Sequence, residues 1–344
     1  MSNTKSSRAD VAREAGVAES TVSRALNDSP LISDEVKARV RAAAVELGYV
    51  LNRQAAMFAR NRAGAIGMVV PRYASFPPFS RAYFPAVLDG VVVAAEERGY
   101  FVTIILEREN TTAEMLAQLV SGRSVDGLLF TVTPAMYDRY EYLDAEGLPF
   151  VFINNYHDGM FGVDSLPEPG MRKAFARAVE LGHQQIGYVA GDLRFKNGQD
   201  RLAVFQKLCS EHGIVGVVCD GDFSRTSGYR CCETLLRDDP DITMIMTASD
   251  RSALGVLAYC EEHGINVPED MSVVGYDDLH PAQDAFPPLS TVQNPIEKSG
   301  WTAANMIIDV VEGIRSEPTT VWLDTDYVDR QSTGIARVPR KEPA

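Results

Sequence analysis

Apolar residues at helical spacing dominate the first fifty positions. Val11, Ala12 and Ala15 fall on one face, as do Val17, Val22, Ala25 and Leu26, with Gly16 between the two sets where a tight or left-handed turn is needed. The pattern predicts two short amphipathic helices that cross closely through small side chains. Ser33, with Asp34 and Glu35 behind it, reads as the start of a third helix. Val36, Val40, Ala43 and Leu47 continue that helix, and Gly48 stops it. Asn52 can cap a further short helix over 53–60, ended by Asn61-Arg62-Ala63-Gly64. So short a segment has little to pack on and is expected to order only on DNA or against a partner copy.

From Ala65 onward the pattern changes. Apolar runs at 65–70, 101–106, 127–132 and 149–153 alternate with helical stretches such as 84–98 and 111–121. A second set at 186–190, 214–218, 242–247 and 273–276 alternates with 170–181, 199–212, 227–237 and 251–263. Val/Ile-rich runs separated by helices predict parallel strands covered on both faces. The two sets break near Val163–Pro169, so two Rossmann-like lobes with a cleft between them are expected.

Composition narrows the function classes. No apolar run approaches the roughly 18 residues of a membrane span, and the polar N-terminus has no signal-peptide core; a cytoplasmic chain is expected. The five cysteines form no C-x-x-C pair, and an odd count argues for reduced, buried thiols, with redox sensing by Cys231-Cys232 the lesser reading. There is no G-x-G-x-x-G after the first strand, no phosphate loop, no G-x-S-x-G and no ligand spacing among His157, His183, His212, His263 and His280. Neither an enzyme nor a bound cofactor or metal is expected. The net charge of −14 divides unevenly: residues 1–62 hold ten Lys/Arg against seven Asp/Glu, or +3, and the remainder carries −17. A basic head on an acidic body confines phosphate attraction to one end. The polar face of the second helix offers Glu19, Ser20, Ser23 and Arg24, suited to base edges and phosphates, as in a DNA-reading helix-turn-helix.

DVAREAGVAESTVSRALN, its continuation VRAAAVELGY, and the later segments ELGHQQIGYVAGD, DFSRTSGY, TASDRSALGVL, INVPEDMSVVGYDD, PPLSTVQNP and DRQST follow one another in this chain. On these motifs the chain resembles the lactose repressor/galactose repressor (LacI/GalR) family of transcription regulators over nearly its whole length. The resemblance implies an all-α helix-turn-helix headpiece plus hinge helix, followed by an α/β periplasmic-binding-protein-like type I core of two Rossmann-like lobes. The expected boundaries are 1–51 for the headpiece, 52–63 for the hinge helix and linker, 64–338 for the core and 339–344 for a tail. Within the core, the N-lobe takes about 64–164 and 295–323, and the C-lobe about 165–294 and 324–338.

The family pattern places Glu19, Ser20 and Arg24 in the major groove, where Arg24 can pair with guanine and Glu19 can accept from a cytosine amino group. Ser7, Thr21 and Asn27 occupy positions that usually contact phosphates, with helix capping the alternative for Ser7 and Asn27. Arg8 joins this DNA-facing set, as do Asn52, Arg53, Ala55 and Phe58 of the hinge. Phe58 stands where relatives wedge a leucine into the minor groove, with packing against the other subunit's hinge the alternative. Three departures are Ala18 in place of a capping serine, Leu51 in place of a proline, and the acidic Glu19 at a DNA-facing position. Effector contacts carry over to Arg201, Phe223, Asp250, Asp277 and Asn154, a fork and carboxylates suited to vicinal hydroxyls. Asp277 and Asp250 are alternatively a loop cap and a helix N-cap. Tyr83 and Phe84 end an aromatic segment with Tyr73, Phe76 and Phe79, which either closes over a ligand or packs beneath the loop.

The resulting expectation is a homodimer on palindromic double-stranded DNA, controlled by a sugar or sugar derivative acting as inducer. The alternative effector is a nucleobase or nucleoside corepressor. A solute-binding transport receptor would share the lobes but have no use for residues 1–62. The C-terminus lacks the leucine heptads of tetrameric relatives, so a dimer is expected. Phe58→Ala should weaken specific operator binding more than non-specific binding in a mobility-shift titration; equal losses would rule out a wedge.

Overall fold

The computed structural model describes residues 6–26, 29, 31–49, 62–72, 78–108, 110–131 and 137–337. Asn27, the hinge positions Asn52, Arg53, Ala55 and Phe58, and the aromatics Tyr73 and Phe76 lie outside the described residues. The chain divides into two compact units, Met1–Arg62 and Ala63–Ala344.

In the first unit, α1 (Arg8–Glu14), α2 (Glu19–Leu26) and α3 (Asp34–Glu46) enclose Val11, Val22, Ala25 and Val40. Ser7 caps α1 through a capping box: its hydroxyl oxygen accepts from the Asp10 amide while the Asp10 carboxylate accepts from Ser7 N at 2.9 Å. Gly16 takes φ 63°, the left-handed turn that joins α1 to α2. Ala18 has no side-chain oxygen to offer, and its carbonyl alone receives the Thr21 and Val22 amides.

The second unit contains two six-stranded sheets. The first orders its strands β11-β5-β4-β3-β1-β2, with β1 Ala65–Pro71, β2 Phe101–Glu107, β3 Gly127–Phe130, β4 Phe150–Ile153, β5 Gly162–Leu166 and β11 Thr320–Asp324. All of its pairings are parallel. The second orders its strands β12-β10-β9-β8-β6-β7, with β6 Gln185–Val189, β7 Val215–Cys219, β8 Met244–Thr247, β9 Ser272–Asp277, β10 Ser290–Gln293 and β12 Asp326–Val328. Only β12 runs antiparallel, against β10. Helices α4 (Tyr83–Arg98), α5 (Ala113–Ser121), α6 (Tyr137–Ala145) and α12 (Ile296–Val311) accompany the first sheet. Helices α7 (Pro167–Glu180), α8 (Lys196–His212), α9 (Arg225–Asp238), α10 (Asp250–Glu262) and the short α11 (His280–Gln283) accompany the second.

The chain crosses between the lobes three times: from β5 to α7, from β10 to α12 and from β11 to β12. Thr325 lies at the third crossing, where its hydroxyl donates to Leu166 O at 2.7 Å and accepts from Gly170 N at 2.9 Å. Two of the three crossings are thereby bonded to each other. His183 is a satisfied core residue, with Nδ1 2.8 Å from Thr243 Oγ1 and Nε2 3.1 Å from Gly334 O. All five cysteines are free, four of them buried.

Helices α4 and α12 touch backbone to backbone. A Cβ on Gly90 would fall 1.9 Å from Glu297 O, and one on Gly300 would fall 2.2 Å from Val87 O. The two glycines thus permit a crossing that no larger residue allows. Gly90→Ala is expected to force the helices apart at about 1–3 kcal/mol, seen as a lowered thermal midpoint of the core. An unchanged midpoint would show that the contact is not tight.

Candidate effector cleft and DNA-reading face

In open α/β sheets ligands bind beyond the carboxyl ends of strands, and the charged groups of the second unit gather there. Arg201, in the second turn of α8, is buried with its guanidinium 3.7 Å from the centroid of the Tyr276 ring. Nη1 donates to Ala248 O, and Nη2 lies 3.5 Å from Asp277 Oδ1. Phe223, at φ 62°, approaches the same guanidinium at 5.9 Å. It covers Gly191, where a Cβ would sit 2.2 Å from its ring.

Asp277 ends β9 at φ 121°, a left-handed backbone that costs energy in any residue but glycine. Asn294 Nδ2 donates to its Oδ1 at 3.2 Å. Burial pushes the Asp277 carboxyl above the usual carboxylate range, against the pull of Arg201 and Asn294. Asp250 opens α10, but the capping group is Ser249, whose hydroxyl oxygen accepts from Ser252 N. The Asp250 carboxylate instead accepts from Thr291 Oγ1 at 2.5 Å and Leu279 N at 2.8 Å, tying β10 and the loop after β9 to the helix. Burial first, and Asp277 second, raise its pKa.

The other lobe contributes Asn154, directly after β4 and at φ 54°, whose Nδ2 donates to the Tyr83 hydroxyl at 2.9 Å. Phe84 does not accompany Tyr83 into the cleft: it is buried in the core, edge-on to the Tyr83 ring at 5.3 Å. The lobes meet where Asn197 Nδ2 of α8 reaches Asn154 O at 3.5 Å. Lys196 lies 5.5 Å from the centroid of the Tyr156 ring. The Tyr83 hydroxyl shares the field of Asp277, Asp164 and Arg201.

Three residues here escaped the sequence reading: Asp164, Asn197 and Asn294. Asp164 is buried in β5, and desolvation pushes its carboxyl up to about 6 although Arg201 and two backbone amides pull the other way. Asn197 and Asn294 turn their Nδ2 atoms to a carbonyl and a carboxylate, which leaves their Oδ1 atoms as the acceptors to be satisfied. Among the described residues Asn154 Oδ1, Asn197 Oδ1, Asn294 Oδ1 and the Tyr188 hydroxyl are buried without a hydrogen-bond partner in the protein. Such groups are costly unless something binds them.

In the first unit Glu19, Ser20 and Arg24 are exposed along α2, and Thr21 is half-buried. Glu19 does not stand alone: Arg8 Nε donates to its Oε2 at 3.2 Å, so the acid carries its own counter-charge.

Residues 9–52 match the family model described as bacterial regulatory proteins, lacI family, and residues 175–333 match that of a periplasmic binding protein-like domain. The regulator CelR of Thermobifida fusca is 32% identical over 329 residues, 94% of this chain and 96% of that one. The chain belongs to the LacI family. Another relative, the repressor PurR of Escherichia coli O139:H28, is 30% identical over 94% of this chain and 95% of its own. Among solved structures, a CelR–cellobiose complex aligns with TM-score 0.73 at 31% identity, covering 95% of this chain and 99% of that one. The lac repressor dimer bound to operator and the anti-inducer ONPF aligns with TM-score 0.74 at 26% identity, covering 96% and 100%. This LacI-family protein is a DNA-binding, effector-responsive transcriptional regulator and not an enzyme. No helix among the described residues is long and apolar enough to cross a membrane.

Removing the buried guanidinium strands the Asp277 carboxylate. Arg201→Ala is expected to cost about 3–5 kcal/mol, read as a lowered urea midpoint of the ligand-free core. The loss should shrink as pH falls, because Asp277 without its counter-charge takes up a proton more readily in the folded state. A pH-independent loss would mean that packing on Tyr276, not charge, is what Arg201 supplies.

Proposed function

We propose that the protein binds a palindromic operator as a homodimer and that a neutral sugar held between its lobes releases it from DNA. The observation that carries the effector assignment is the surplus of acceptors in the cleft. The Oδ1 atoms of Asn154, Asn197 and Asn294 are buried without a partner in the protein, and the Asp277 carboxylate lies beside Asn294. Arg201 is already bonded to Ala248 O and Asp277 and stacked on Tyr276. A phosphate or sugar acid would meet the like charge of Asp277, and the nearby Arg201 and Lys196 are each already paired with a carboxylate, whereas a polyol offers one donor per hydroxyl. The cellobiose complex of the relative CelR is in keeping with such a ligand. A nucleobase, with few donors and a large apolar face, uses this set less well.

Two edges support self-association. Strands β2 and β7 end their sheets and expose Phe101, Ile104, Leu106, Val215 and Val218. Valines 92 and 93 of α4 are likewise exposed. Exposed apolar edge strands are normally covered, and the aligned lac repressor is a dimer on its operator. In the first unit, Arg24, Ser20 and the Arg8–Glu19 pair make base and phosphate contacts, one headpiece per half-site. Differential affinity of the sugar for the two lobe arrangements changes operator affinity, and the operator changes sugar affinity by the same factor.

Two measurements test this reading. In a thermal-shift panel, neutral sugars, cellobiose among them, should raise the midpoint of the full chain more than sugar acids or nucleobases. A shift confined to acids or bases overturns the effector class. Deleting residues 1–62 should abolish salt-sensitive selection of symmetric sites from a randomised duplex pool while preserving the sugar shift. Retained site selection would place DNA recognition elsewhere.

A further inference from the structure

Asp164 has a chemistry that the contacts described so far leave unused. It sits in β5, two residues before the end of the strand and the crossing to α7, and is 5% exposed. Its Oδ1 accepts from Ser165 N at 2.7 Å and its Oδ2 from Tyr156 N at 3.1 Å. Each oxygen therefore uses one acceptor position on the backbone and retains another. Asp250 differs, because its two donors come from Thr291 and Leu279, which close a loop within its own lobe. Asp277 also differs, because Arg201 and Asn294 both bear on its Oδ1.

The surroundings of Asp164 are those of the cleft. Arg201 and Asp200 of α8 act on it from the opposite lobe. The Tyr83 hydroxyl of α4 and the Tyr276 hydroxyl of β9 both feel its charge together with that of Asp277. On the neighbouring strand β11 the paired position is Trp322, which is uncharged and packs edge-on to Tyr156 at 4.7 Å. Tyr156, held by Asp164 through its amide, is itself two residues from Asn154. A buried carboxylate of the first lobe, bonded to the segment that follows Asn154, thus lies within the field of Arg201 and Asp200 of the second.

We propose that Asp164 is a ligand-binding residue: it accepts a hydroxyl of a neutral polyol whose other hydroxyls face Asp277 and Asn294, so that one molecule is held by acceptors of both lobes. The inference rests on the neutral-sugar reading given above. It adds a residue and a chemical requirement, a hydroxyl donated toward the β5 side of the cleft. It also makes binding proton-linked. Burial holds the Asp164 carboxyl at about 6 in the unliganded chain. A donated hydroxyl favours the ionised form and lowers that value, so binding releases a proton near pH 6 and affinity falls as the solution is acidified.

The test is calorimetric titration of the full chain with cellobiose, glucose, maltose and ribose, in buffers of different ionisation enthalpy. For one group titrating at about 6, affinity should be about fourfold weaker at about pH 5.5 than at about pH 7.5. Proton release should appear as a buffer-dependent enthalpy. Asp164→Asn should weaken binding at least about tenfold at the higher pH, the scale of a lost hydrogen bond to a charged group, and should flatten the pH dependence. Asp277, Asp250 and Asp200 remain in that variant, so a slope that survives belongs to them and overturns the assignment. Wild-type binding without proton release overturns it too, and that measurement does not depend on the variant folding. A sugar that binds the variant as it binds the wild type refutes Asp164 alone. If no sugar of the panel binds the wild type, the neutral-sugar reading falls and takes this inference with it.

Discussion

The effector lobe is organised around a single buried cation. Arg201 reaches from α8 to the ends of β8 and β9 at once, through the Ala248 carbonyl, the Asp277 carboxylate and the Tyr276 ring. Taking a guanidinium out of water is expensive unless its donors are met and a counter-charge stands close. Each of those partners is fixed in turn: Asp277 by Asn294, and Tyr276 within the core of the second sheet. The strand ends that form one wall of the cleft are therefore set by electrostatic satisfaction as much as by apolar packing. The cation is committed to holding that wall.

That wall is joined to the crossings between the lobes. Asn294, which bonds Asp277, lies in the segment from β10 to α12, and its amide also donates to Asp277 O at 3.3 Å. Thr325 joins the other two crossings through one hydroxyl. Asp277 is thus bonded directly to a residue of an interlobe crossing. Coupling between a ligand and a lobe rotation requires only that the two arrangements bind it differently, and the bonds at Asn294 supply a short physical route.

Much of the architecture was legible because the hydrophobic period is strong. The small apolar face of residues 11–26 and the apolar runs of β1, β3, β4, β8 and β9 each admit few other structures. Strands β5, β10 and β12 were not read from the chain, because Gly-Val-Asp-Ser-Leu, Ser-Thr-Val-Gln and Asp-Tyr-Val carry polar residues that look like loop; β11, Thr-Val-Trp-Leu-Asp, was missed despite its apolar centre. Their pairing partners, distant in the chain, decide their conformation. The same masking hid Asp164, a lone acid in a polar segment, and Asn294, an amide before a proline. Arg201 and Asp277 came from the family resemblance rather than from any local signal. Nothing local announces the Arg8–Glu19 pair either, since eleven residues separate the partners across a turn. Tyr83 and Phe84 read alike as neighbouring aromatics, yet the helical rotation of about 100° per residue sends one toward the cleft and the other into the core.

The glycine contact between α4 and α12 has a mechanical consequence. Tyr83 stands at the first turn of α4, and Val92 and Val93 stand on its outer surface about 15 Å further along the axis. Because the helix is clasped main chain to main chain by its neighbour, it has no soft layer of side chains in which to absorb a small displacement. Its two ends are joined by one rigid element, and at the glycine contact neither helix can shift toward the other without a main-chain clash.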